Sequence, residues 1–226
     1  MKSAIQTLIL ITFTLTTLVQ CQNRKGTVTD IDGNVYKTVK IGEQVWMAEN
    51  LKVTRYRNGN RISNVTNNSR WSKLKTGAYC AYDNDDINIK TYGLLYNWFA
   101  VNDSRSLAPV GWHIPSSNEW KYLEKYLGIS TFRQQNSSKL KATKGWPMYG
   151  NGTNESGFTA IPSGSRNPFK GSFKFLGQFG YYWLTNGGTS GAWHTYACGV
   201  EITDDTYVRN CSGIASGGRS VRCIKD

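Results

Sequence analysis

The stretch from Gly111 to Gly128, G-W-H-I-P-S-S-N-E-W-K-Y-L-E-K-Y-L-G, carries a complete set of helix signals and constrains everything around it. Ser116 suits an N-cap. Glu119, three residues on, can reach back to the cap's backbone N–H as a capping box, and Pro115 keeps the residue before it extended. Trp120, Leu123 and Leu127 fall on one face at helical spacing, Lys121, Glu124 and Lys125 take the wet side, and Gly128 suits a left-handed stop. The remaining sequence reads mainly as strand and loop, so one short, well-capped helix has to anchor a largely β domain.

Met1-Lys2 precedes an apolar and hydroxyl run from Ala4 to Val19 that contains no acidic residue, which reads as an export signal over residues 1–21. Threonines interrupt the run too often for a permanent transmembrane helix. Its end, Leu18-Val19-Gln20-Cys21, resembles a bacterial lipoprotein signal, which implies a lipid on Cys21 and a membrane-anchored protein of the cell envelope. Gln20 departs from the small residue usual there, and an ordinary secretory signal with a secreted product is the alternative. Residues 22–27 read as a polar tether, and residues 28–226 fit one domain.

The formal charge of +12 invites a nucleic-acid partner, but the lysines and arginines are scattered singly among Tyr, Trp, Asn and Gly, with no run of like charge. On an exported chain this balance favours acidic glycans or phosphate-bearing envelope polymers instead. Beyond Cys21 there are Cys80, Cys198, Cys211 and Cys223, and export makes disulfides the default. Val200–Thr203 and Thr206–Arg209 alternate about Asp204-Asp205, and a hairpin closed there sets Cys198 opposite Cys211 at a Cα separation of roughly 4.5 Å. Cys80 with Cys223 follows by elimination. No metal-binding spacing of Cys and His occurs.

Along the chain, residues 27–47 predict a hairpin turned at Asp32-Gly33 and a third strand after Gly42-Glu43. An extended stretch turning at Asn58-Gly59 follows, with one turn of helix at Ser69–Leu74 and a strand at Gly77–Tyr82. The run from Tyr92 to Val101 is apolar on nearly every side, and Leu94, Leu95, Trp98 and Val101 fit a helical face. Gly157–Pro162 predicts a strand ended by proline, followed by a basic, aromatic loop over 163–180 and further strands to Arg219–Ile224, which closes a sheet beside the N-terminal hairpin.

Five ordered blocks, V-T-D-I-D-G-N-V-Y-K-T-V-K-I-G-E-Q-V-W-M-A-E-N-L at 28–51, Y-G-L-L-Y-N-W at 92–98, G-W-H-I-P-S-S-N-E-W at 111–120, G-F-T-A-I-P-S-G at 157–164 and S-V-R-C-I-K-D at 220–226, resemble the Fibrobacter succinogenes major paralogous domain. The resemblance implies an α+β fold related to C-type lectin-like and formylglycine-generating-enzyme-like domains, with irregular antiparallel sheets, one or two short helices and long loops. It brings no established activity. Two cysteines common in the family are Ala108 and Asn88 here, so any family disulfide using those sites is absent, which unsettles the partner of Cys80 and Cys223.

Aromatics are the dominant chemical resource, with Tyr 13 and Trp 8. Aromatic faces stack on the C–H faces of sugars, and they equally fill cores. Trp46, Trp98, Trp112 and Trp120 lie in apolar blocks and belong to the core. Trp183 and Trp193, with Tyr181, flank the loop 186–190 and are candidate ligand platforms. Asp83, Asp85 and Asp86 offer three carboxylates in four residues for calcium, an ordinary acidic turn being the alternative. The C-type lectin sugar-binding motifs are absent. No catalytic template stands out: there is no G-x-S-x-G, and His113 between Trp112 and Ile114 reads as a packed histidine. No other cofactor is implied. The reading is an exported binding or adhesion module, with a purely structural envelope role and a degenerate formylglycine-generating-type enzyme as alternatives.

Overall fold

The computed structural model describes residues 25–129, 137–147, 150–185, 189–190, 195–202 and 207–226, with side chains of the last strands described only at Gly199, Glu201, Ile202 and from residue 213 onward. The export signal, Cys21, Trp193 and the Asp204-Asp205 turn lie outside the described residues. Among those described, no helix is long and apolar enough to cross a membrane.

The chain is mixed α+β and built mostly of sheet. The first sheet holds β1 (Lys25–Thr29), β2 (Val35–Ile41), β3 (Gln44–Met47), β14 (Ile224–Lys225) and β7 (Trp112–His113) in that order. Its opening hairpin turns where predicted. Asp30 organises that turn by accepting the backbone N–H of Asp32 and Asn34 on one oxygen and the Tyr36 hydroxyl, at 2.6 Å, on the other. β1 begins inside the stretch expected as tether.

The second sheet runs β11 (Thr189–Ser190), β12 (Thr195–Ile202), β10 (Gly180–Trp183), β8 (Ser163–Arg166) and β9 (Phe173–Leu176), with β13 (Tyr207–Ile214) also pairing β12. The third is β4 (Ser63–Asn64), β5 (Ala78–Cys80) and β6 (Leu95–Tyr96). The C-terminal segment stitches all three together. Arg219 bridges Tyr96, Gly218 bridges Arg166, Ser220 bridges Tyr182, and Ile224 then pairs with both Trp46 and His113. The C-terminus does close this sheet, but through Ile224–Lys225 alone and beside β3 and β7, one strand away from the N-terminal hairpin.

Of the four α-helices among the described residues, α1 (Asn68–Ser72), α2 (Ile87–Tyr92), α3 (Trp98–Val101) and α4 (Ser117–Leu127), only α4 has more than two turns. It forms as its sequence dictates: the Ser116 hydroxyl accepts from the Glu119 N–H, the Glu119 carboxylate accepts from the Ser116 N–H, and Gly128 ends it at φ 68°. Trp120, Leu123 and Leu127 are buried as expected, but so is Glu124, which was placed on the wet side. His113 is also not the packed core histidine expected. Its side chain is 40% exposed and held between Asp226 and Glu119, each at 2.6 Å.

Two predicted elements take another form. The apolar run at 92–101 is not one helix, because Gly93 adopts φ 73° and a Cβ there would lie 2.7 Å from Asn50 Cβ; β6 and the single turn of α3 follow it. Residues 157–162 make only an isolated bridge, Ala160 to Lys141, and Thr159 sits at φ 59°.

Among the described residues, three apolar clusters share the interior. One, beneath α4, holds Trp46, Trp120, Phe158 and Tyr182; another gathers Trp98, Trp112 and Trp183 around Tyr36 and Met47. A smaller one surrounds Trp71. The four tryptophans assigned to the core are therefore in it. Cys80 and Cys223 are free and buried in different clusters, so the bridge inferred by elimination is not formed. Burial pushes the Cys80 thiol up to about 11 and that of Cys223 higher still, so both stay protonated.

Candidate functional site

The hairpin β8–β9 and the turn after it build the aromatic surface that the loop at 163–180 contained. Asn167 closes the hairpin by accepting the backbone N–H groups of Phe169 and Lys170. After β9 the backbone folds back sharply: the N–H groups of Gln178 and Phe179 both donate to the Phe175 carbonyl, and Phe175 itself adopts φ 67°. A left-handed conformation for a bulky residue costs on the order of 1 kcal/mol and is uncommon. Its consequence is visible at once. The rings of Phe175 and Phe179 stack at 4.6 Å and 21°, with Phe175 39% exposed.

Tyr181, the second residue of β10, meets this pair at 5.8 Å from Phe179 and 6.4 Å from Phe175. Antiparallel register sets it opposite Glu201 on β12, and Trp183 opposite Gly199. Arg219 lies across the same face, with its guanidinium 4.5 Å from the Trp183 ring and 5.5 Å from that of Tyr181. Gly199 makes room for it, since a Cβ there would lie 2.3 Å from an Arg219 nitrogen. The groups are mutually adjusted. Burial lowers Arg219 to about 10, burial raises Glu201 although Arg219 opposes this, and burial, reinforced by Glu201, raises Tyr181. Lys170 and Lys174 project from the hairpin nearby in sequence and are exposed.

A stacked ring pair at the surface thus lies beside a phenol, a guanidinium and a carboxylate, an arrangement of apolar faces able to stack, flanked by donors and one acceptor. Of the residues predicted from sequence, Tyr181 packs against this ring pair but is itself buried, at 8% exposure. Trp183 does not meet solvent. It is fully buried, its indole N–H donates to the Tyr96 carbonyl at 2.7 Å, and it packs on Trp98, so it is a core residue and not a platform. Trp193 lies outside the described residues.

The register of β12 and β13 from Gly199 with Asn210 to Ile202 with Tyr207 is the one that the predicted turn requires. Cys198 falls at a register shift between Ala197 and Gly199, and the side chains of Cys198 and Cys211 lie outside those described. Asp83, Asp85 and Asp86 sit on an exposed turn where Asp85 accepts the backbone N–H of Ile87 at 3.0 Å, as an ordinary acidic turn does. Among the described residues, no three of His, Cys, Asp and Glu converge as a metal site.

Sequence reasoning missed Phe175, Phe179 and Arg219. The available signals were a phenylalanine pair four residues apart around Gly177, and an arginine following two glycines at 217–218. Comparison with curated proteins and with solved structures finds no match. The model of one family, the Fibrobacter succinogenes major domain, matches residues 39–225. That span includes the aromatic ring pair and everything from the second half of β2 to the last strand, so this chain belongs to the Fibrobacter succinogenes major domain family.

Proposed function

We propose that this chain is an exported binding module of the cell envelope, anchored by a lipid on Cys21, of C-type lectin-like architecture, whose surface at Phe175, Phe179, Tyr181 and Arg219 takes a glycan or envelope polymer. The observation that carries the reading is the exposed, stacked Phe175–Phe179 pair, held by a backbone conformation that costs energy. Strain of that kind persists where surroundings over-determine it and clusters at binding sites. The pair stabilises little where it is, because much of Phe175 stays wet. Stacking against sugar C–H faces gives it a use, Arg219 favours acidic sugars or phosphates, and the excess of basic residues draws anionic polymers toward the domain.

The test is an array of glycans and envelope polymers probed with the full chain and with a Phe175→Ala/Phe179→Ala variant, each with calcium and with chelator. Saturable binding that the double variant loses while its near-UV circular dichroism is unchanged supports the proposal. Silence across the array transfers the role to a protein partner or to envelope structure, and binding kept by the double variant moves the site elsewhere.

A further inference from the structure

A second concavity lies away from the aromatic surface. A cleft of about 460 Å³ opens between α3 with the turn that follows it and the segment Lys75–Gly77, which leads into β5. Its two walls are held by one buried side chain. The Asn97 amide donates to the Thr76 carbonyl at 2.8 Å, and its oxygen accepts the N–H groups of Ala78 and Ala100, both at 3.0 Å. The cleft is thus preformed, in the size range of small-ligand sites.

Its lining is mostly polar. Asn102, Ser104 and Lys75 are exposed at its rim, with the half-buried Phe99 ring beside them. Arg105 grips Asp103 with two hydrogen bonds, at 2.8 and 2.7 Å, and lies 4.0 Å over the Tyr56 ring. That grip holds the Asp103 carboxyl down to about 2, so the pair is ionised, and with Lys75 the cleft carries one net positive charge.

Behind this wall a donor is left over. Tyr56 is 1% exposed, and its hydroxyl feels Asp103 and Arg105 but makes no hydrogen bond of good geometry. It presses on Gly77, where a Cβ would lie 2.0 Å from the hydroxyl oxygen, so any other residue at 77 would displace it. Buried polar atoms without partners are rare, and this one stands behind Gly77 and Asp103, which line the cleft, and keeps Gly77 a glycine there.

We propose that this cleft is a second binding site, for a single acidic sugar residue: its carboxylate meets Lys75, its hydroxyls meet Asn102 and Ser104, and one ring face lies on Phe99. The site stands on different residues from the aromatic surface, so it survives or fails independently of the function proposed there. The test is calorimetric titration of the full chain with glucuronate and with glucose. Glucuronate binding at least tenfold tighter than glucose, abolished by Ser104→Trp, which fills the cleft from its exposed rim, and weakened tenfold by Lys75→Ala, is the expected result. The part of the binding that Ser104→Trp removes should be unchanged in Phe175→Ala/Phe179→Ala, which alters only the aromatic surface. No heat with glucuronate, binding indifferent to Ser104→Trp, or binding lost only in the phenylalanine variant would overturn the assignment.

Discussion

Tyr181 and Tyr182 are neighbours on β10, and because side chains alternate along a strand they enter two different aromatic clusters. Tyr182 meets Trp120 and Phe158 beneath α4, and these two meet Trp46, with ring centroids 5.5 to 6.1 Å apart and every ring fully buried. Tyr181 faces Phe175 and Phe179, at similar spacings but with an open side. Each cluster also has its arginine. Arg222 lies 4.6 Å over Phe158 and donates to the Asn50 side chain and to the carbonyls of Met47, Phe158 and Thr159. Arg219 lies over Tyr181 and Trp183 with Glu201 as its charged neighbour. Ring geometry therefore does not separate a closed core from an open aromatic surface. What separates them is whether the rings and the cation have all their neighbours inside the chain.

The largest effect should come from the closed cluster. Trp120→Ala removes the ring that links α4 to the sheet, and such truncations typically cost about 3–5 kcal/mol. Urea unfolding followed by circular dichroism measures it, and a loss under about 1 kcal/mol would mean that the closed cluster is not the core. The arginines come next. Arg222→Met keeps an apolar stem but strands four acceptors, three of them in buried contacts, for an expected loss of roughly 3 kcal/mol. Arg219→Met should cost no more than about 1 kcal/mol of stability while removing the preference for anionic ligands. Equal losses in stability at both positions would erase the distinction between the two faces.

The closed cluster was largely readable from sequence, because its signals are local or periodic. Ser116, Glu119 and Gly128 sit at fixed offsets, and Trp120, Leu123 and Leu127 declare one face. The open cluster was not. Phe175 and Phe179 meet only through a turn that puts a phenylalanine at positive φ, against its own preference, and Arg219 finds its place only because Gly199 lacks a side chain across the sheet. Trp183 misled for the converse reason. Its strand position beside a glycine-rich loop looked like a rim, but the C-terminal segment and α3 cover it from outside the strand. The run at 92–101 shows the same limit: a segment buried on every side carries no usable period, and Gly93 decided its path through contact with Asn50 and Leu51.

A smaller effect should distinguish the faces by pH. Burial opposes protonation of His113, but its hydrogen bonds to Asp226 and Glu119 outweigh this and hold the imidazole above its ordinary 6.5. Burial likewise opposes ionisation of Glu119, and its bonds from Ser116 and His113 win, holding the carboxyl below its ordinary 4.5. The histidine's contribution is complete below 6.5 and is lost as pH rises through the raised folded value. The carboxylate's is complete above 4.5 and is lost as pH falls through the lowered one. Stability should therefore peak between those limits, by less than about 1 kcal/mol because the side chains are partly exposed and screened. His113→Gln should flatten the alkaline side of that profile while leaving ligand binding at the open cluster unmoved, and a profile unchanged in the variant would remove the clasp from the account.

The smallest stability change is expected where the functional change is greatest. Phe175→Gly removes a ring pair whose interaction is worth about 0.5–1.5 kcal/mol. It also relieves a left-handed strain of about 1–2 kcal/mol, and glycine's extra freedom in the unfolded chain takes back part of that relief. These opposing effects leave folding stability within about 0.5 kcal/mol of the parent, as for most surface changes. Recognition has no such compensation, since glycine offers no face to stack on. Phe175→Gly should thus fold as well as the parent and fail to bind, whereas a loss of 2 kcal/mol or more would show that the ring is held at φ 67° for packing and not for a ligand.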